Sequence, residues 1–96
     1  MANAAGVATL NRFFNADVAR EIIRAYGRPR LVTAAGVFFH LEELHSAVAG
    51  IAELCADGGA FCVQAIYLGE ILRQTQFDNI YHEHLTYWSV TSLAKL

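Results

Sequence analysis

The sequence predicts an α/β protein, a mostly parallel sheet flanked by helices, and three observations carry that reading. Residues 31–39 and 60–66 are apolar runs of strand length with no polar alternation, which suits parallel strands buried on both faces. Each run follows a segment whose apolar residues recur at helical spacing. The signals between them, Gly27 with Pro29 and then Asp57-Gly58-Gly59, are those that end helices.

Taken in order, residues 6–13 suit a short edge strand. Asn15 is a good N-cap, Asp17 sits favourably in a first turn, and Val18, Ala19, Ile22, Ile23 and Tyr26 form one face of a helix over 16–26. The first buried strand follows, with Gly36 near its end where another group could approach the backbone closely. Leu41, Leu44, Val48, Ile51, Ala52 and Cys55 mark the next helix, with Glu42, Glu43 and Glu53 on its outer side. After the second buried strand, Leu68, Ile71 and Leu72 predict a short helix. Residues 81–84 then read as extended, and Ser89 caps a final helix. The alternation of strand and helix implies right-handed crossovers, with ligands expected at the carboxyl ends of the strands, 36–40 and 64–67.

The chain has 96 residues, 55% hydrophobic and only 17% charged, with six phenylalanines, four tyrosines and one tryptophan. A domain of this length buries a limited fraction of its surface, so the apolar surplus predicts a partner surface: a homo-oligomer formed through an exposed sheet edge. The net charge is −2, and Arg20, Arg24, Arg28 and Arg30 are the one basic cluster, which speaks against nucleic acid and suits a solvated helix face. No apolar run approaches the roughly 20 residues of a membrane span, and the start lacks signal-peptide features, so a cytoplasmic protein is expected. Cys55 and Cys62 are too few for a disulfide framework and are read as buried free thiols.

Residues 77–89 concentrate the chemistry: Tyr81, His82, Glu83 and His84 lie among Phe77, Tyr87 and Trp88. In an extended strand Tyr81 and Glu83 would face one way and His82 and His84 the other. An imidazole can take or give a proton near neutral pH, and a carboxylate can fix its tautomer or bind a hydroxyl. An edge strand whose polar residues merely face water would carry the same pattern.

The run from Phe77 to Leu93, FDNIYHEHLTYWSVTSL, resembles the signature of a family of S-adenosylmethionine-dependent C-methyltransferases, whose best-known members act on nucleotide-linked deoxysugars. The preceding GVATLNRFFNADVAREI and LVTAAGVFFHLEELHSAVAGIAELCADGGAFCVQAIYL are similar to the second half of that family's cofactor-binding domain, so the resemblance covers nearly the whole chain. It implies a partial Rossmann-like class I methyltransferase fold, running over 1–96 from near the third strand to the helix after the fifth. S-adenosylmethionine would be the cofactor and a small molecule, such as a nucleotide-sugar, the acceptor. His84 would be the general base that turns a carbonyl-activated carbon into an enolate, Glu83 would hold a sugar hydroxyl, and Tyr81 would position the substrate. His40 and Tyr67, just past the two strands, and Gly36 would lie near the site. His82 is read as a structural side chain on the opposite face, and His45 as a surface residue. Tyr87 and Trp88 are expected to pack.

Several features of that family have no counterpart here. The glycine-rich turn and acidic residue that bind such a cofactor do not occur, since no G-x-G is present and Gly58-Gly59 falls at a helix-to-strand turn. The family's cysteine-rich zinc-binding region and C-terminal domain are also missing. Ala35-Gly36 stands where the family shows an asparagine, and Gln64-Ala65-Ile66-Tyr67 where it shows Glu-Val-Pro-Tyr. The expectation is a fragment that is inactive alone. Two rival readings remain at this point, a non-catalytic half domain that works by association, and a histidine-based metal binder using His82, Glu83, His84 and His40. Zinc needs three or four convergent ligands, and the spacing supplies too few, so no metal site is expected.

Overall fold

A computed structural model describes residues 2–96. The first helix, α1 (Ala16–Tyr26), begins where Asn15 accepts a hydrogen bond from the Val18 N–H, and it ends at Gly27, whose φ of 79° is one an L side chain rarely adopts. Strand β1 (Leu31–Ala35) leads through Gly36 into a 3₁₀ turn at Phe38–His40. Helix α2 (Leu44–Leu54) then returns the chain to strand β2 (Ala60–Gln64). The two strands pair in parallel, with Leu31 opposite Ala60 and Ala35 opposite Gln64. Helix α3 (Leu68–Gln74), a 3₁₀ turn at Phe77–Asn79 and the short helix α4 (Val90–Leu93) complete the order. At α4 the Ser89 and Ser92 side chains each accept from the other's backbone N–H, a reciprocal capping box.

Helix α1 packs on α2. Gly50 makes the approach possible, because a Cβ there would stand 3.0 Å from the Asn15 carbonyl oxygen. The Arg20 guanidinium closes the outer edge of the pair, donating to both carboxylate oxygens of Glu53 at 2.9 and 3.0 Å and to Asp17 at 2.9 Å. The core centres on Phe38, Phe39 and Trp88. Leu41, Leu44, Val48, Ile51, Val63, Ile66 and Leu93 pack around them.

Four expectations from the sequence are corrected. Residues 6–13 form no strand; among the described residues the only regular structure before α1 is a 3₁₀ turn at Asn3–Ala5. The strands are five residues each, shorter than the apolar runs, because Gly36 at φ 66° turns the first chain out of the sheet. Neither strand is buried on both faces: Leu31 is 60% exposed and Phe61 36%, as a two-stranded sheet leaves its outer edges and part of each face uncovered. Cys62 is exposed on β2 for the same reason, and Cys55 is half-buried; both are free thiols. Finally, residues 81–84 are not a strand. The segment 80–89 joins no strand, and its one β-bridge among the described residues is Trp88 with Tyr67.

The radius of gyration is 15.2 Å, against about 12.5 Å for a compact domain of this length. The accessible surface is 6985 Å², against about 5,500 Å² for a compact monomer of this mass. The apolar surplus is therefore left outside, as the composition predicts. No helix among the described residues is long and apolar enough to cross a membrane.

Candidate functional site

Both strands deliver the chain to the same place. Beyond β1 the Phe39 carbonyl accepts from the N–H groups of Leu85 and Thr86, at 2.9 and 3.3 Å. Beyond β2 the Leu68 N–H donates to the Trp88 carbonyl at 2.8 Å. Residues 85–88 are thereby laid across the carboxyl ends of the sheet, where a ligand crevice is expected in an open α/β fold.

The preceding residues form a turn, closed by the His84 N–H on the Tyr81 carbonyl at 3.0 Å. The turn replaces the period of an extended strand with its own geometry, so Tyr81 and His84 come together, their ring centroids 4.1 Å apart. His82 and Glu83 occupy the exposed corners. The predicted division into two faces, Tyr81 with Glu83 and His82 with His84, is thus overturned by a local backbone hydrogen bond.

His84 is the one buried polar residue among those described, 9% exposed. Phe39 meets it edge-on at 4.7 Å, His40 lies 5.3 Å away and Tyr87 6.0 Å. Its Nδ1 lies 2.9 Å from the carbonyl oxygen of Asn79. A carbonyl can only accept, so Nδ1 carries the proton and the neutral ring keeps its free lone pair on Nε2. That nitrogen bonds to nothing else among the described residues and is not among the atoms sealed from solvent without a partner. The arrangement is an imidazole held in one tautomer within an aromatic rim, with its basic nitrogen available.

His40 joins the cluster: its Nδ1 donates to the Glu83 carbonyl, which ties the first strand's exit to the turn. Tyr67 and Gly36 do not join. The Tyr67 ring lies over Gly69, where a Cβ would come within 2.7 Å of it, and Gly36 serves as a left-handed turn with nothing within 4 Å of a Cβ position. His45 is exposed on α2, as expected. Trp88 packs in the core, but Tyr87 does more than pack, since its hydroxyl donates to the Asn79 carbonyl at 2.9 Å. The roles of Phe39 and the Asn79 carbonyl were not legible in the sequence, because the first looks like core and the second belongs to a backbone that any residue would supply.

Among the described residues no three His, Cys, Asp or Glu side chains converge as a metal site would require. The fit to S-adenosylmethionine is also poor. The carboxyl ends of the strands present Gly36, Val37, Ala65 and Ile66, with neither a phosphate- or carboxylate-binding glycine turn nor an acidic side chain for ribose hydroxyls. These residues do not make a site for that cofactor unaided.

C-methyltransferase NovU of Streptomyces niveus is 41% identical to this chain over 96 residues, 100% of the chain. By sequence the chain is similar to part of a C-methyltransferase. It spans 23% of that relative's length. The α/β architecture, with its small parallel sheet flanked by helices, is that of part of a Rossmann-like methyltransferase domain. No protein-family profile matches the chain.

Proposed function

We propose that this chain supplies the proton-removing side of a C-methyl transfer site, with His84 as general base. The observation that carries the reading is the Nδ1 contact to the Asn79 carbonyl, which leaves Nε2 as proton acceptor. An unactivated carbon is a poor nucleophile, so C-methylation calls for a base beside a carbon made acidic by an adjacent carbonyl. Nε2 would take that proton, and the C–H electron pair would become an enolate. The ring is buried and packs against Phe39, Tyr81 and Tyr87, which limits its contact with water and favours transfer to a held substrate over exchange with solvent. Glu83, exposed at the turn corner, would meet a hydroxyl of the acceptor, and Tyr81 would flank it. The acceptor we infer is a small carbonyl-activated molecule such as a nucleotide-sugar. The methyl donor we infer is S-adenosylmethionine.

The test is a chimera in which these 96 residues replace the homologous stretch of the Streptomyces niveus enzyme. Methyl transfer to that enzyme's acceptor is expected to persist, and His84→Asn to lower turnover by at least about 100-fold, the usual worth of a positioned base. An active chimera indifferent to His84→Asn would sink the reading.

A second reading is favoured by the surface excess. We propose that the isolated chain acts mainly by association, pairing the open edge of β1 or β2 with a second copy, with Leu31 and Phe61 as exposed neighbours of that edge. Sedimentation at micromolar concentration would show a dimer; a monomer that unfolds cooperatively would overturn it.

A further inference from the structure

The Asn79 carbonyl is a shared acceptor. His84 Nδ1 approaches it at 2.9 Å and the Tyr87 hydroxyl, three residues further on, also at 2.9 Å. A carbonyl oxygen has two lone pairs, so it can accept from both donors at once. We infer that Tyr87 is a positioning residue, whose hydroxyl holds the Asn79 carbonyl against His84 and thereby fixes the base in its Nδ1–H tautomer.

The need for a second anchor follows from what surrounds Asn79. It ends a 3₁₀ turn of three residues, Phe77–Asn79, and among the described residues its carbonyl takes no backbone hydrogen bond. Its side chain donates to Gln76 at 3.3 Å. A peptide plane at such an end swings readily, and any swing withdraws the acceptor from His84. The Tyr87 hydroxyl ties that plane to residues 85–88, which are held by the Phe39 carbonyl beyond β1 and the Leu68 N–H beyond β2. The side chains facing His84 from neighbouring elements are His40, Tyr81 and Phe39, and none of them bonds Nδ1. The tautomer therefore rests on the one carbonyl and on whatever holds that carbonyl still.

The role presupposes the proposed base function of His84, but its geometry is testable without methyl transfer. Two-bond ¹H–¹⁵N spectra of the ¹⁵N-labelled 96-residue chain, recorded at about pH 9 where histidine is neutral, report which ring nitrogen carries the proton, and His84→Asn assigns the signal. The unchanged chain is expected to show His84 chiefly as Nδ1–H. Tyr87→Phe, which keeps the ring and removes the hydroxyl, is expected to lower the ratio of Nδ1–H to Nε2–H about fivefold, the worth of one net hydrogen bond. Asn79→Ala, which keeps the carbonyl, is expected to leave the ratio unchanged. An Nε2–H tautomer in the unchanged chain would overturn the inference without recourse to any variant, as would a ratio indifferent to Tyr87→Phe. In the chimera, by contrast, loss of dependence on His84 would overturn the catalytic reading while leaving the tautomer result standing.

Discussion

Tyr81 and His84 stack with ring centroids 4.1 Å apart and planes inclined at 43°, brought together by the turn that the His84 N–H closes on the Tyr81 carbonyl. The tyrosine is itself 45% exposed while the histidine is 9% exposed, so the outer ring shields the inner one. Tyr81→Ala is expected to open His84 to reagents, and Tyr81→Phe to leave it shielded. Acylation of His84 by diethyl pyrocarbonate, followed by peptide mass spectrometry, should run several-fold faster in the alanine variant alone; equal rates would mean that the stack does not protect the base.

Thr86 carries a buried hydroxyl with no hydrogen-bond partner. An unpaired buried polar group costs free energy that an apolar group of the same shape does not. Thr86→Val keeps the β-branched shape and is expected to stabilise the fold by about 1 kcal/mol. The urea midpoint of unfolding would rise; a fall would imply that the hydroxyl is satisfied in solution.

Gly59 is constrained by contact rather than by φ. A Cβ there would lie 2.8 Å from the Ala56 carbonyl oxygen and 3.0 Å from that of Arg30, both backbone atoms. The same corner holds the Ala60 N–H to Arg30 and the Ala56 N–H to Pro29, which start the two strands in register. Gly59→Ala is expected to destabilise the chain by roughly 2 kcal/mol, as when atoms are forced into filled space. Chemical denaturation measures this, and a change below a few tenths of a kcal/mol would show that the corner gives way easily.

The Arg20–Glu53 pair predicts an acid-side weakening of the α1–α2 packing. Chiefly through the hydrogen bond from Arg20, with Coulomb attraction from Arg20 and then Arg28 behind it, Glu53 is held below the ordinary carboxylate value, and Arg20 is raised in turn. A carboxylate whose folded value is depressed stabilises the fold above its unfolded value, about pH 4, and loses that contribution as pH falls through the lowered value. Both groups are exposed, so the effect should be small and shrink with added salt. Comparing Glu53→Gln with the unchanged chain across that range checks it: the two stabilities should differ at neutral pH and converge in acid.

Much of the fold was legible because it depends on neighbours in sequence. The bounds of α1 follow from Asn15, Gly27 and Pro29, and the cap at Ser89 from the hydroxyl three residues later. The parallel β1–β2 pair follows from two apolar runs separated by one helix. The strand ends were less legible, since Gly36 is apolar enough to prolong a run yet adopts a left-handed φ that ends it.

The sequence by itself determined the residue types at the site, an imidazole and a carboxylate among aromatic rings, because composition and spacing are covalent facts. Only the tertiary structure decided which of them meet. A turn hydrogen bond, rather than strand periodicity, paired Tyr81 with His84, and the exit of β1 brought Phe39 and His40 beside them across more than 40 residues of chain. The tautomer of His84 was settled by the carbonyl of Asn79. A backbone oxygen is present at every position, and only folding selects the one that stands 2.9 Å from Nδ1.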